Sequence, residues 1–315
     1  MKGKIGRRRF FSDAAIAAAG ILLRSSMKGC SPGHDNEFSS YDIVHEINKY
    51  RKIDAHTHIF SAPDQTPEWH LDIADRLGIE KLQISRPRLA GFGGTDGPDN
   101  PEQVRQLNDI IYKAIKQYPD RFIGFFTLNP VFQRESLEEI KRCVDLGFAG
   151  YKGFVQVKVN DPLYYPIIEK LIDLKMLCFM HSECELGQGG YRMKYDKHSF
   201  PNVTIPEDMA DIAGRYPEAM FQWAHIASGD FEYISKCIKD HPNIYVDISS
   251  SNNEESHVDY CIEQLGEDRI FFASDNSYYQ AVGKILASNA TETQRRKIFF
   301  DNYNNILKKG GHGID

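Results

Sequence analysis

The chain is poor in the features that mark disulfide-stapled, zinc-ribbon or membrane-spanning proteins. Its six cysteines are scattered over 315 residues with no CxxC pair, which excludes a disulfide framework and a structural zinc ribbon. No apolar run reaches the ~18 residues that a spanning helix needs. Basic charge is scarce beyond the start: residues 31–315 hold 31 Lys/Arg against 43 Asp/Glu. A body that acidic lacks the basic face needed to neutralise phosphates, so nucleic acid is excluded as a partner. What remains is ordinary for a globular chain, 41% hydrophobic and 26% charged, and long enough to bury a substantial core.

Residues 1–30 differ from the rest. Seven of them are Lys or Arg, and the run Ala14 to Leu23 is apolar, the layout of an export signal. Arg7-Arg8-Arg9-Phe10-Phe11 resembles the twin-arginine export motif, which implies a bacterial protein exported folded. Cys30 is a candidate for lipidation and membrane anchoring, although Lys28 before Gly29 fits such a box badly. Residues 31–50 read as a linker, 51–309 as one domain and 310–315 as a flexible tail.

Within the domain, short apolar runs alternate with longer helical patterns. Candidate strands are Lys52–Ala55, Lys81–Ser85, Phe122–Leu128, Gly150–Val155, Met176–His181, Met220–His225, Ile244–Ile248 and Ile270–Ser274. Several are continuously apolar, as parallel strands covered on both faces are. Helical patterns lie between them, at Pro101–Tyr118, Ser136–Leu146, Pro162–Leu174, Pro206–Tyr216 and Phe231–Asp240. Eight strand–helix repeats in about 260 residues fit a (β/α)8 TIM barrel. A doubly wound sheet would place a glycine-rich phosphate turn after its first strand, where this chain has His56-Thr57-His58. The glycine-rich Gly91–Gly97 run falls mid-loop and reads as a lid or rim.

Polar residues of catalytic type collect where these strands end. His56 and His58 close the first strand, Lys152 lies late in the fourth, His181 closes the fifth, His225 the sixth, and Asp275 follows the eighth. All fall at the C-terminal edge, the face on which such barrels carry their active sites. Residues i and i+2 of a strand share a face, so His56 and His58 can grip one ion. A third imidazole and a carboxylate complete a nitrogen/oxygen site suited to Zn²⁺ or a similar divalent ion. Each residue alone has a plainer reading: a hydrogen-bonded histidine, a helix cap at Asp275, a surface charge at Lys152. The common placement favours a site. His34, His45, His241, His257 and His312 read as surface residues.

Seven stretches carry a family likeness: Ile53–His58, Tyr118–Phe125, Gly147–Gly153, Phe179–His181, Arg215–His225, Asn243–Asp247 and Asp268–Asp275. In order and spacing they resemble the amidohydrolase-related branch of the amidohydrolase superfamily, which contains metal-dependent hydrolases, lactonases and nonoxidative decarboxylases. The resemblance implies His56, His58, His181 and Asp275 as metal ligands, with Asp275 also handling a proton. It implies that His225 polarises the scissile group or binds a second ion. Lys152 is left open between a carboxylated bridge to that ion, a contact to a substrate carboxylate, and packing. One ion per chain, zinc, is expected. The run Ala273-Ser274-Asp275-Asn276-Ser277 lacks the proline common two residues after this aspartate in the branch.

The expected activity is hydrolysis of a small amide, ester or lactone by metal-activated water, since a bound ion can bring water's pKa from 15.7 to about 7. The alternative is a nonoxidative decarboxylase on the same ligands. Arg86 and Arg88 after the second strand, and Arg192 with Tyr191 and Glu183 after the fifth, are candidate substrate contacts. Trp69 and His70 are candidates for an aromatic mouth or for helix packing. The partner is a small molecule, and homodimerisation is an expectation without an interface signature.

Overall fold

The computed structural model describes residues 42–60, 66–89, 97–184, 201–249 and 255–315. Its core is eight parallel strands: β1 Ile53–His58, β2 Lys81–Ser85, β3 Phe122–Phe126, β4 Gly150–Gly153, β5 Leu177–Met180, β6 Met220–Trp223, β7 Ile244–Asp247 and β8 Ile270–Phe271. Each strand pairs with the next in chain order. The ring is joined where Ala55 N–H donates to the Phe272 carbonyl (2.9 Å) and Asp275 N–H to the His56 carbonyl (2.7 Å). This is the expected (β/α)8 barrel.

Helix α1 (Ile43–Asn48) precedes β1. The connecting helices are α2 Pro67–Arg76, α3 Pro101–Gln117, α4 Gln133–Asp145, α5 Tyr165–Asp173, α6 Pro206–Arg215, α7 Phe231–Ile238 and α8 Ser256–Leu265. After β8 come α9 Tyr278–Ala287, α10 Glu292–Arg296, a π-helical turn Lys297–Asp301 and α11 Asn302–Lys309. Helix starts follow local chemistry. Asn100 Oδ1 accepts the Gln103 N–H and Thr66 Oγ1 the Trp69 N–H, each with proline at the first helical position, where a missing N–H loses no bond.

Strand alternation sorts the core into two clusters. Inside the barrel, Ile123, Phe125, Leu177, Phe179, Met220 and Phe271 pack with Tyr303, Ile306 and Leu307 of α11. Outside it, Leu82, Ile84, Phe126, Met180, Phe221, Trp223 and Val246 meet helix residues such as Ile111, Ile140, Ile168, Ile212 and Ile285. Both faces are therefore apolar, which explains the unbroken hydrophobic strands. Cys143, Cys178, Cys184 and Cys261 are buried as small core residues.

Two boundaries differ from the sequence reading. Residues 43–315 form one compact unit. Helix α1 belongs to it, because the buried Lys52 ammonium donates to the Ile47 and Tyr50 carbonyls at the helix end. The tail expected to be flexible is docked. Asn304 exchanges two side-chain bonds with Ile314 (2.7 and 2.8 Å), and Arg51 reaches the Asp315 carbonyl (3.1 Å). Ile314 packs on the inner cluster. Residues 1–30, Cys30 and most of the expected linker lie outside the described residues. No helix among the described residues is long and apolar enough to cross a membrane.

Candidate metal centre and active site

The site begins with an irregularity in β1. Its register to β2 slips between Asp54 and Thr57, so three steps along β1 answer two along β2, a bulge that re-aims the strand end. Asp54 Oδ1 accepts the N–H groups of His56 and Ser274, both at 3.0 Å, giving the bulged backbone a partner and tying β1 to the chain after β8. Asn276 completes the tie: its Nδ2 donates to the His58 carbonyl (2.9 Å) and its Oδ1 accepts the His58 N–H (3.0 Å).

Beyond the ladder, His225 (φ 60°), Asp275 (φ 46°) and Asn276 (φ 67°) adopt left-handed backbone. L-residues with side chains enter that region only at a cost, and it recurs at functional sites. β6 and β8 consequently stop at Trp223 and Phe271, short of the expected ends at His225 and Ser274, and the two site residues turn inward from irregular chain.

The side chains converge. His56 Nε2 lies 3.0 Å from His58 Nε2, and Asp275 Oδ1 lies 3.5 and 3.4 Å from those same two atoms. The His225 Nδ1 is 3.8 Å from Asp275 Oδ2. Ligand atoms of His56, His225 and Asp275 all lie within 4.8 Å of one another. His181 attaches through His225, with Nδ1 3.2 Å from His225 Nε2, and its own Nε2 is 3.3 Å from Glu183 Oε1. Lys152 Nζ stands 3.5 Å from His56 Nε2 and 3.4 Å from the centre of the Phe179 ring.

Outer contacts fix the tautomers. His56 Nδ1 faces Asp247 Oδ2 at 3.1 Å, and His58 Nδ1 faces the Ser85 carbonyl at 3.3 Å. A neutral imidazole has one N–H; donated to these acceptors, it leaves both Nε2 lone pairs pointing at each other and at the Asp275 carboxylate. Burial, reinforced by the Lys152 charge, holds His56 well below its ordinary 6.5. Burial and then His56 do the same for His58, burial and then His181 for His225, and burial takes His181 to about 3. Three electron-pair donors meeting without a proton between them suit a divalent cation, and imidazole–carboxylate sets of this kind bind one. Burial also pushes the Lys152 ammonium down and the Asp275 carboxyl up, each partly offset by the other's charge.

The remaining candidates separate. Arg86 donates to the Ile59 (3.1 Å) and Leu89 (3.3 Å) carbonyls and so ties its own loop to the chain leaving β1. Arg88 lies beside the rings of Phe60 and Phe154, 5.1 and 5.5 Å from their centres. Arg192 and Tyr191 lie outside the described residues, as do residues 90–96 of the glycine-rich loop. His70 is fully buried and bonded to the Tyr278 hydroxyl, with Trp69 packed beside both, so this pair belongs to helix packing. His257, read as a surface residue, is fully buried in α8 because it occupies that helix's inner face with Val258 and Cys261.

Sequence reasoning missed Asp247, Ser249, Ser85, Asn276 and Asp54. Asp247 is the hub: besides His56 it accepts Gln222 Nε2 (3.0 Å), the His225 N–H (3.0 Å) and the Ser249 hydroxyl (2.6 Å). Its place at the C-terminal end of β7 was the available signal.

Comparison with known proteins bears on the chemistry. Residues 53–302 match the family model described as amidohydrolase. The γ-resorcylate decarboxylase of Rhizobium sp. (strain MTP-10005) is 26% identical over 287 residues, covering 76% of this chain and 86% of that protein. The solved 2,6-dihydroxybenzoate decarboxylase from Rhizobium superposes with a TM-score of 0.63 at 21% identity, over 83% of this chain and all of that one. A dihydroxybenzoic acid decarboxylase from Polaromonas sp. JS666, solved with bound manganese, gives 0.62 at 20% identity, over 82% and 97%. The structural likenesses show the shared barrel. The curated relative corrects the expectation of hydrolysis, because a protein matched over most of both chains is a decarboxylase. The ligand set alone could not separate the two, since metal-water hydrolysis and decarboxylation use the same imidazoles and carboxylate. Likeness across 250 residues, with imidazoles and a carboxylate meeting at the strand ends of an eight-stranded barrel, makes this chain a member of the amidohydrolase family.

Proposed function

We propose that this protein is a metal-dependent nonoxidative decarboxylase of a small, planar carboxylic acid. The observation that carries the reading is the likeness to γ-resorcylate decarboxylase over 86% of that enzyme's length. His56, His58, His181 and Asp275 would hold the cation, with His225 beside them. A divalent ion bound there supplies Lewis acidity, drawing electron density from substrate oxygens. Manganese, bound in the Polaromonas neighbour, and zinc both suit nitrogen and oxygen ligands of this kind.

The chain's own groups supply the rest. Asp275, at the edge of the imidazole cluster, would pass a proton to the carbon that bears the carboxylate. The carbon–carbon bond then breaks, its electron pair stays with the ring carbon, and CO2 leaves. Lys152, unmodified, faces the departing carboxylate with its ammonium. His225, oriented by Ser249 Oγ at 3.0 Å, positions the substrate. Buried Phe179, Phe60 and Phe154 exclude water from a planar acid. Export directed by residues 1–30 completes the reading and is tested by cell fractionation.

The deciding experiment incubates manganese- or zinc-loaded protein with a panel of hydroxybenzoic acids and with aryl esters and lactones, and follows CO2 and product. CO2 released in step with loss of the acid, abolished by Asp275→Asn, is expected. Ester or lactone cleavage without CO2 from any acid would overturn the proposal.

A further inference from the structure

We propose that Ser249 is a positioning residue that sets the tautomers of two imidazoles through one hydroxyl, so that His225 carries its proton on Nδ1 and turns an Nε2 lone pair to the site. This holds whatever acid the site accepts.

Ser249 leaves β7 in the run Asp247-Ile248-Ser249. Its N–H donates to Asp247 Oδ1 at 3.1 Å, the local turn in which an aspartate side chain holds the backbone two residues on. The turn brings the serine hydroxyl back to the same oxygen, at 2.6 Å. The His225 N–H donates there as well, at 3.0 Å. One carboxylate thus seats both the left-handed backbone of His225 and the serine that meets its ring.

Among the described residues, three groups meet the Ser249 hydroxyl: Asp247 Oδ1 at 2.6 Å, His225 Nδ1 at 3.0 Å and His56 Nδ1 at 3.2 Å. Ser249 and Asp247 are fully buried, so their bonds must be found within the protein. A hydroxyl has one proton and two lone pairs. The carboxylate has no proton to give, and 2.6 Å is the length of a hydroxyl donating to a carboxylate, so the serine proton goes to Asp247. Only lone pairs remain for the two rings, and each ring must bring its own N–H. The count closes with one bond donated and two accepted. His56 Nδ1 has a second acceptor in Asp247 Oδ2 at 3.1 Å. His225 Nδ1 has Asp275 Oδ2 only at 3.8 Å, beyond hydrogen-bond reach, and so depends on the serine. In the neutral ring its Nε2, 3.2 Å from His181 Nδ1, is then an acceptor.

Long-range proton–nitrogen NMR spectra of the full-length chain, isotope-labelled at histidine, read the tautomer of each ring at neutral pH. Chelator is present, because a cation on Nε2 would impose the Nδ1–H form by itself, and His56→Gln and His225→Gln assign the two sets of signals. In wild type both rings should show the Nδ1–H pattern. Ser249→Ala should make Nε2–H, the form that free histidine favours, the major species of His225, while His56 stays Nδ1–H on Asp247. Ser249→Thr, which restores a hydroxyl, should return His225 to the wild-type pattern. Ser249→Gly gives the same reading as Ser249→Ala should the latter lose the circular dichroism of the barrel. A serine that served packing alone would leave the tautomers unchanged. His225 found as Nε2–H in wild type, or kept as Nδ1–H once the hydroxyl is gone, would overturn the assignment. No substrate enters these spectra, so absence of CO2 from every acid sinks the decarboxylase reading and leaves the role of Ser249 standing.

Discussion

Asp247 shows how a residue that need not touch a metal or substrate can control a site. One carboxylate oxygen faces His56 Nδ1, and the other takes the His225 and Ser249 N–H groups and the Ser249 hydroxyl. Asp247→Asn keeps the shape but can present an NH2 to His56 Nδ1, which favours the wrong tautomer. Outer-contact substitutions of this kind lower metal affinity about 10- to 100-fold. That range is expected for Asp247→Asn in a competition titration against a chromophoric chelator, with the circular dichroism of the barrel retained. Unchanged affinity would remove Asp247 from the tautomer argument. His56, His58, His181, His225 and Asp275 were legible in the sequence because each sits at a strand end in a recognisable spacing. Asp247 ends β7 in the same way, but lone aspartates at strand ends are commonplace, and only its four partners distinguish it.

At the scale of elements, the strands were readable from their apolar runs and their ends were not. β2 matches its sequence reading at both boundaries, whereas β4, β5, β6 and β8 end earlier than hydrophobicity suggests. Hydrophobicity reports burial, and burial continues past the last ladder bond into the chain that carries His181, His225 and Asp275. The glycines of β4 show the same limit. A Cβ on Gly150 would drive into the ring of Phe125 on neighbouring β3, while one on Gly153 would meet the thioether of Met180. A phenyl ring packed in the barrel interior cannot swing aside as a methionine tip can. Gly150→Ala should therefore destabilise by about 1–3 kcal/mol and Gly153→Ala by clearly less, as read from chemical denaturation. Equal losses would show that Met180 is as confined as Phe125.

Across the whole molecule, the buried imidazoles tie stability to pH. Burial leads in lowering His56, His58, His70, His181 and His225 below 6.5, His70 to about 4. Unfolding restores ordinary basicity, so below about pH 6.5 the unfolded chain binds more protons than the native one. Their contribution is whole above that pH and is lost progressively as pH falls from there toward the lowered native values, about 4 for His70 and about 3 for His181. Asp54, raised to about 7 by burial, and Asp275, raised likewise, act in the opposite sense over part of the range, and the five imidazoles outweigh them. Melting in chelator should come at least several degrees lower at pH 5.5 than at pH 7, given roughly 2–4 °C per kcal/mol for domains of 150–250 residues. A flat or rising profile would contradict neutral, buried histidines. The barrel and the strand-end placement of His56, His58, His181 and His225 were legible in the sequence alone, because apolar strand runs and strand-end histidines are local patterns. Tertiary structure decided the bulge held by Asp54, the hub at Asp247, the docked tail and the parting of Arg86 from Arg88. Each depends on groups far apart in the chain, or on which way a side chain turns once the ring has closed, and spacing along the sequence carries neither.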